Sequence, residues 1–488
     1  MVRWPFLPSL FLALLSLKAL AYPADLSCKP ALSLSQKDVA ELILKQGRRT
    51  QEINLQYQQL RLAVAQARAA YQWDFSATTG YLFDKSVSLQ PSAFRKNENL
   101  VSKLSLDKNF FTGTHLTLEY QRTSFKGDPG AATANPVRSV ATQDLLGLNL
   151  TQNIWANFFG IADRGELDAA DLNYQSTALL RTNDLENTVL DSIRAFWTAY
   201  VSEQNFKESM ASRDRSKKLM DAVRKKSSFG YANPGELAQA QADYEKRVQD
   251  VKNASTLYLQ NLDTLNTLLT LPQNCEIKFI VSDVVPPVPQ LPEKPVQDLR
   301  AIRSEKLKVT AAERALDAAQ SRDAPTLQLV GKIYSYGVKE DGNGAYSEMV
   351  SGAHPQYYAG IQFRYLFGED LLSETRLNRK YARDFESVRL SRLTQESVDA
   401  QLQAQRKVQT AYASVLSTAE QKKFREKALQ ELNRSFNQGR TDISIYIEAM
   451  NKFSDAEILH SQAVGNYQTA LNEWAAVRDE LIPDAQEE

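Results

Sequence analysis

The sequence is poor in the residues that carry most active-site chemistry. Three histidines and two cysteines among 488 residues exclude a multi-cysteine zinc site and a disulfide-dense scaffold. Neither charge is in surplus, since 58 Lys and Arg face 58 Asp and Glu. A neutral chain lacks the basic excess a nucleic-acid binder needs against phosphates, and it is not a disordered tail of one sign. His115, His354 and His460 lie in three separate regions, and no H-E-x-x-H, phosphate loop, G-x-S-x-G or paired-cysteine motif occurs. We therefore expect no enzyme, no cofactor and no nucleic-acid partner. Beyond the first 21 residues there is also no run of 18 apolar residues, so no later helix should span a bilayer.

The apolar exception is MVRWPFLPSLFLALLSLKALA. Arg3 supplies charge, Phe6 to Leu17 is almost wholly apolar, and Ala19-Leu20-Ala21 is a small-residue exit. This pattern predicts a secretory signal cleaved after Ala21; the competing reading is a short membrane anchor. Asp25 stands where a lipoprotein box needs an aliphatic residue, so lipidation of Cys28 is not expected. An exported chain without a spanning helix is either soluble or a β-barrel. Cys28 and Cys275, in an oxidising compartment, either bond to each other or stay free.

Glycine and proline are missing from long stretches: 48–79, 166–229, 236–271, 296–324 and 369–438 hold neither, and 440–482 holds only Gly465. These stretches are rich in good helix formers. The helix predicted at about 160–229 would reach roughly 100 Å at about 1.5 Å per residue, far beyond a globular helix. Apolar residues recur every seven positions after Gly230 (Leu237, Tyr244, Val251, Tyr258, Leu265) and after Gly439 (Tyr446, Phe453, His460, Tyr467, Trp474). An alanine line, Ala449, Ala456, Ala463 and Ala470, accompanies the second series. A sustained seven-residue repeat implies coiled-coil packing.

The pattern is duplicated. Trp197-Thr198-Ala199-Tyr200 is echoed by Gln409-Thr410-Ala411-Tyr412, and Phe158-Phe159-Gly160 by Leu366-Phe367-Gly368. The expected layout is a signal at 1–21 and a first half at 22–284, with strands at about 75–155 and helices at about 160–229 and 234–271. A Pro-rich linker at 285–295 follows. The second half, 296–482, has strands at about 326–367 and helices at about 369–438 and 442–480, before a polar tail at 483–488.

Between the helices apolar residues alternate with polar ones: Leu104 and Leu106; Leu116, Leu118 and Tyr120; Leu146, Leu148 and Leu150; Leu327, Leu329 and Ile333; Ile361, Phe363 and Tyr365. Aromatics cluster near the strand ends. A half-buried soluble sheet shows the same alternation, but with an export signal the pattern favours a membrane β-barrel. The second half offers two strands and the first two or four, because KNFFTGT (108–114) reads as a turn. One chain has too few strands to close a pore, so several must share a barrel.

The turn sequences SFGYANPGELAQAQADY (228–244) and FNQGRTDISIYIEAMNKF (436–453), placed identically in the two halves, carry a resemblance. With Pro325-Thr326-Leu327 and the LFG-type strand exits, the chain resembles the TolC-like outer-membrane efflux proteins (outer membrane factors) over about 36–482. The matching positions are Gly230, Asn233, Glu236, Leu237 and Ala240 in one turn, and Gly439, Asp442, Ile445, Tyr446 and Ala449 in the other. The resemblance implies a mainly α fold: a long coiled-coil α-helical barrel, a shared trimeric β-barrel and duplicated helix–strands–helix halves. It implies a homotrimer in outer-membrane lipid with most of the chain in the periplasm. A periplasmic adaptor (membrane fusion protein) and an inner-membrane pump would open it for efflux or type I secretion.

On this reading the adaptor-docking residues are Gly230, Asn233, Pro234, Glu236, Leu237, Gly439, Arg440 and Asp442. Asn233, Pro234 and Glu236 also read as a capping box, and Gly230 as a left-handed helix stop. Asp442, Ile445 and Glu448 fall at the pore constriction. Ile445 stands where an acidic residue is common, so a double acidic ring is not expected. Glu448 forms either a single ring or a solvated helix position. The alternative to a channel is a periplasmic coiled-coil structural or scaffolding protein.

Overall fold

The computed structural model describes residues 31–86, 94–129, 139–272, 275–282, 284–290, 294–365, 367 and 370–482. The signal segment with Ala21, Cys28 and the tail 483–488 lie outside these residues. The elements in order are β1 Leu32–Leu34, α1 Gln36–Gln46, α2 Arg48–Ala69, β2 Trp73–Asp84, β3 Phe94–Asn109, β4 Thr114–Pro129, β5 Val140–Asn153 and α3 Ile161–Ser228. Then come α4 Glu236–Leu268, β6 Ile277–Phe279, α5 Arg300–Arg322, β7 Thr326–Lys339, α6 Gly342–Val350, β8 His354–Arg364, α7 Asp370–Asn437 and α8 Ile443–Val477. The chain divides into two compact units, one of Met1–Glu52, Leu185–Leu291 and Ala404–Ala476, the other of Ile53–Asp184, Pro292–Gln403 and Val477–Glu488.

The first unit is helical. Helices α3 and α7 are 68 residues each, and α4 and α8 are 33 and 35, so the duplicated pattern has become near-equal helix pairs. The alanine line works as expected on α8, where Ala456, Ala463 and Ala470 are buried. Gly465 has the same cause: a Cβ there would lie 2.5 Å from Val201 Cγ2, so a larger residue would force Val201 to move. Tyr467 is fully buried and its hydroxyl donates to the Pro286 carbonyl at 2.9 Å. The Pro-rich segment is thereby fastened to α8, with Val285 and Val288 packed on the same cluster. Strands β1 and β6 pair in parallel, Leu32 opposite Ile277, beside Cys275, which is buried and disulfide-bonded.

The heptad line read on α4 forms only part of its seam: Leu265 is buried, and Leu237 and Tyr244 pack against the buried cluster shared with α3, α7 and α8. Leu237, Tyr244, Val251 and Tyr258 are only half-buried, and the buried residues are Ala240, Asp243, Arg247, Leu262, Leu265 and Asn266. The buried seam is partly polar, because Asp243 and Arg247 find partners there.

The second unit is built on one antiparallel sheet of six strands in the order β2-β3-β4-β5-β7-β8. The first half supplies four strands and the second two. Gly113, at φ +68, makes the β3–β4 turn predicted from KNFFTGT. At the exit from β5, Asn157 takes a left-handed conformation, and its Oδ1 accepts the Ala162 and Asp163 N–H groups at 2.9 and 3.2 Å, capping α3. The pattern gave no sign of α6, nine residues with Asp341 as N-cap. Among the described residues no helix is long and apolar enough to cross a membrane.

Candidate functional site

The two helix–helix turns share one core. Leu219, Met220 and Val223 of α3, Ala240 of α4, Phe436 of α7, and Ile443, Ile447 and Met450 of α8 form a single buried cluster. Both turns end their incoming helices the same way. Tyr231 and Arg440 N–H groups return to the Lys226 and Ser435 carbonyls at 2.9 Å each, with Gly230 and Gly439 at φ +78 and +71. This closure needs the left-handed region, which glycine enters at little cost.

The outgoing helices begin differently. Asp442 accepts the Ser444 N–H at 2.8 Å, as a helix cap should. The Ser444 hydroxyl and N–H hold its carboxyl below the ordinary aspartate range. The capping box expected at Asn233 does not form. Helix α4 starts at Glu236 behind Gly235, a left-handed residue without a side-chain cap. The Asn233 amide instead donates to the Glu236 carboxylate at 2.6 Å. The intervening Pro234 and Gly235 turn the chain so that these side chains meet each other rather than the free backbone groups.

Beside Gly230, Phe229 and Tyr231 are 73% and 82% exposed. The sequence reading passed over them, although two aromatics flanking a turn glycine are a legible signal. Leu237 packs on the shared cluster and Arg440 is exposed. On α8, Ile445 is half exposed and Glu448 pairs with Lys452 one turn on. The Lys452 ammonium lowers the Glu448 pKa below the usual glutamate range. His460 is half-buried, 3.2 Å from the Thr418 hydroxyl, and burial lowers its pKa.

Polar contacts tie the helices behind the turns. Ser216 Oγ donates to Asp243 at 2.6 Å. Arg247 bonds Asn451 and pairs with Asp250 at 3.0 Å. Arg215 pairs with Glu208, which also accepts from Ser454 at 2.5 Å. Sequence alone gives no way to separate these from solvated charges.

The sheet has two unlike faces. One carries Phe75, Leu104, Leu118, Leu146, Leu148, Ile333 and Ile361, all exposed. Trp73, Phe110, Phe111, Trp155, Phe158 and Phe159 lie exposed at the helix-ward end and Tyr81, Phe83 and Tyr357 towards the other. The opposite face is polar, with Lys103 and Glu119 paired at 2.8 Å. Among the described residues no group of three His, Cys, Asp or Glu side chains could hold a metal ion.

No family profile and no curated protein matches the sequence. Solved structures do. The CmeC outer membrane channel of Campylobacter jejuni superposes with a TM-score of 0.69 at 13% identity, over 93% of this chain and 87% of that one. The chain has the TolC-like outer-membrane-factor fold. The open state of the MtrE outer membrane channel of Neisseria gonorrhoeae gives 0.64 at 15% identity, over 91% and 89%. The VceC outer membrane protein of Vibrio cholerae gives 0.65 at 11%, over 91% and 95%. In this outer-membrane-factor fold, helical pairs and an antiparallel sheet account for the segregation of glycine and proline seen in the sequence.

Proposed function

We propose that the chain is an outer-membrane channel-tunnel, a passive exit duct for a tripartite efflux or type I secretion system. The observation that carries this reading is the sheet. An antiparallel sheet with an exposed leucine and aromatic face, bounded by aromatics at both ends, suits lipid and not water. Its edges, β2 and β8, have no partner strand within the described chain, and unpaired edges are not tolerated in a bilayer. A second copy must cover them. The exposed stripe Tyr381, Phe385 and Val388 on α7, at helical spacing, is a further surface for a neighbouring copy. A periplasmic coiled-coil scaffold would leave the leucine face unexplained.

In a homotrimer the two turns become six, offering Gly230, Asn233, Pro234, Glu236, Gly439, Arg440 and Asp442, and now Phe229 and Tyr231, to a periplasmic adaptor. Asp442, Ile445 and Glu448 would line the constriction. The pump supplies the energy. Cys28, the other cysteine of the sequence, is the proposed partner of Cys275. Heat-modifiable migration of a trimer from an outer-membrane fraction is the expected result. A monomer in the soluble periplasmic fraction would overturn the reading. An adaptor and resistance-type pump encoded beside the gene would assign efflux, and an ABC transporter with a secreted substrate would assign secretion.

A further inference from the structure

We propose that all six strands of each chain enter the barrel wall, so that three copies close an eighteen-stranded barrel with a wide lumen. The inference rests on the trimeric outer-membrane reading and adds the strand count and the bore.

The point at issue is the β3–β4 hairpin, which has no counterpart in the second half. Were it a surface flap, its register and faces would be independent of the other strands. They are not. Phe75 pairs with Leu106, Leu106 with Leu118, Leu118 with Leu148, Leu148 with Ile333, and Ile333 with Tyr357. One apolar row therefore crosses all six strands in register. A shift of one residue in any strand would throw its leucines to the other face.

The polar face is continuous in the same way. Lys103 of β3 pairs with Glu119 of β4 at 2.8 Å, Asn149 of β5 donates to Glu119 at 3.2 Å, and the Tyr334 hydroxyl of β7 donates to Asn149 at 2.8 Å. Gly147 makes room for Tyr334, whose ring would lie 2.6 Å from a Cβ there. A hairpin displaced from the wall would break both the row and this ladder, and would leave new strand edges unpaired in lipid.

The even count also lets copies join. Alternate strands run in opposite directions, so β8 of one copy meets β2 of the next antiparallel, as the rest of the sheet does. Eighteen strands about 4.8 Å apart, tilted about 40°, give a barrel about 36 Å across between backbones. That is the size class that leaves an open aqueous channel. Helix α6 does not plug it. Its Ala345 and Met349 are buried on the apolar, outward face: a Cβ on Gly337 would lie 1.9 Å from the Ala345 carbonyl oxygen, and Gly337 pairs with Asp144 in the leucine lane of β5. Arg122 holds Asp144 at 2.8 Å and donates to the Gly342 carbonyl at 3.1 Å, fixing α6 outside the wall. The barrel thus sets a loose limit on cargo size, admitting small molecules and extended chains.

Electron cryomicroscopy of the full chain in lipid nanodiscs tests this directly. The expected result is a threefold barrel of eighteen strands, about 36 Å between opposite backbones. Interchain disulfides give a second readout: Thr79→Cys combined in turn with Tyr357→Cys, Ala359→Cys or Ile361→Cys spans the neighbouring registers of the β2–β8 joint. At least one pair should yield covalent trimers on non-reducing gels, and no single variant should. A trimeric barrel with β3 and β4 outside the wall, or no crosslink in any register, overturns the inference while leaving the channel reading intact. Absence of any trimeric barrel overturns the channel reading itself.

Discussion

The Lys226 ammonium stands 4.4 Å from the centre of the Phe436 ring, joining the last turn of α3 to the last turn of α7. Phe436 also stacks on Tyr446 of α8, ring centres 5.0 Å apart. One aromatic therefore couples the ends of three helices. Phe436→Ala should cost about 3–5 kcal/mol as a buried large-to-small change, and Lys226→Ala about 0.5–1 kcal/mol. Hydrogen exchange should speed up at residues of both turns in the Phe436 variant. Faster exchange at the α7–α8 turn alone would show the turns to be independent.

Glu448 meets Lys452 before it meets any ring of carboxylates. Lys452→Ala should accordingly raise cation selectivity in planar-bilayer recordings, and Glu448→Ala should lower it. The Lys452 partner depresses the Glu448 pKa. Its charge then survives as pH falls through the ordinary glutamate range and is lost only below it. Selectivity that falls earlier would place a different carboxylate at the proposed constriction.

Cys275 is bonded in a buried setting next to β6. Peptide mapping under non-reducing conditions should join its peptide to the one containing Cys28. Reduction should cost about 2–4 kcal/mol of stability, read as a lower midpoint in thermal unfolding. Two separate thiol peptides would refute the pairing.

Glu305 is buried on α5, with Lys308 at 3.7 Å and Arg389 of α7 at 3.5 Å. Burial, followed by a hydrogen bond with the Glu386 carboxyl, raises its pKa above the usual glutamate value. The folded state thus holds this proton more tightly than the unfolded chain. The stability this confers is full below the unfolded pKa and is lost as pH rises through the folded one. Glu305→Gln should remove that part of the pH dependence and raise the thermal midpoint near neutral pH. An unchanged pH profile would show that Glu305 does not titrate in this window.

Helices, turns and strand alternation were legible because each depends on residues close in sequence. The absence of Gly and Pro from 166–229 and 369–438 bounds α3 and α7 to within a few residues. Gly230 and Gly439 stop them because the left-handed closure is a local demand on the backbone. Asn233 failed as a cap because Gly235, a residue with many conformations open to it, takes that position instead. Helix α6 escaped notice because nine residues with two glycines are a weak helix on their own. Burial of Ala345 and Met349 on the sheet holds it in place.

The sequence by itself determined the doubled halves, the lengths of the helices, the two turns and the alternation of each strand, since all of these follow from spacing along the chain. The tertiary structure decided that the first half supplies four strands, in which order all six pair, which face α6 covers, and that Asp243 and Arg247 lie buried in a seam that otherwise reads as apolar. These outcomes depend on partners distant in sequence. A leucine lane does not name the strand beside it, and a buried charge is tolerated only where another element brings its partner.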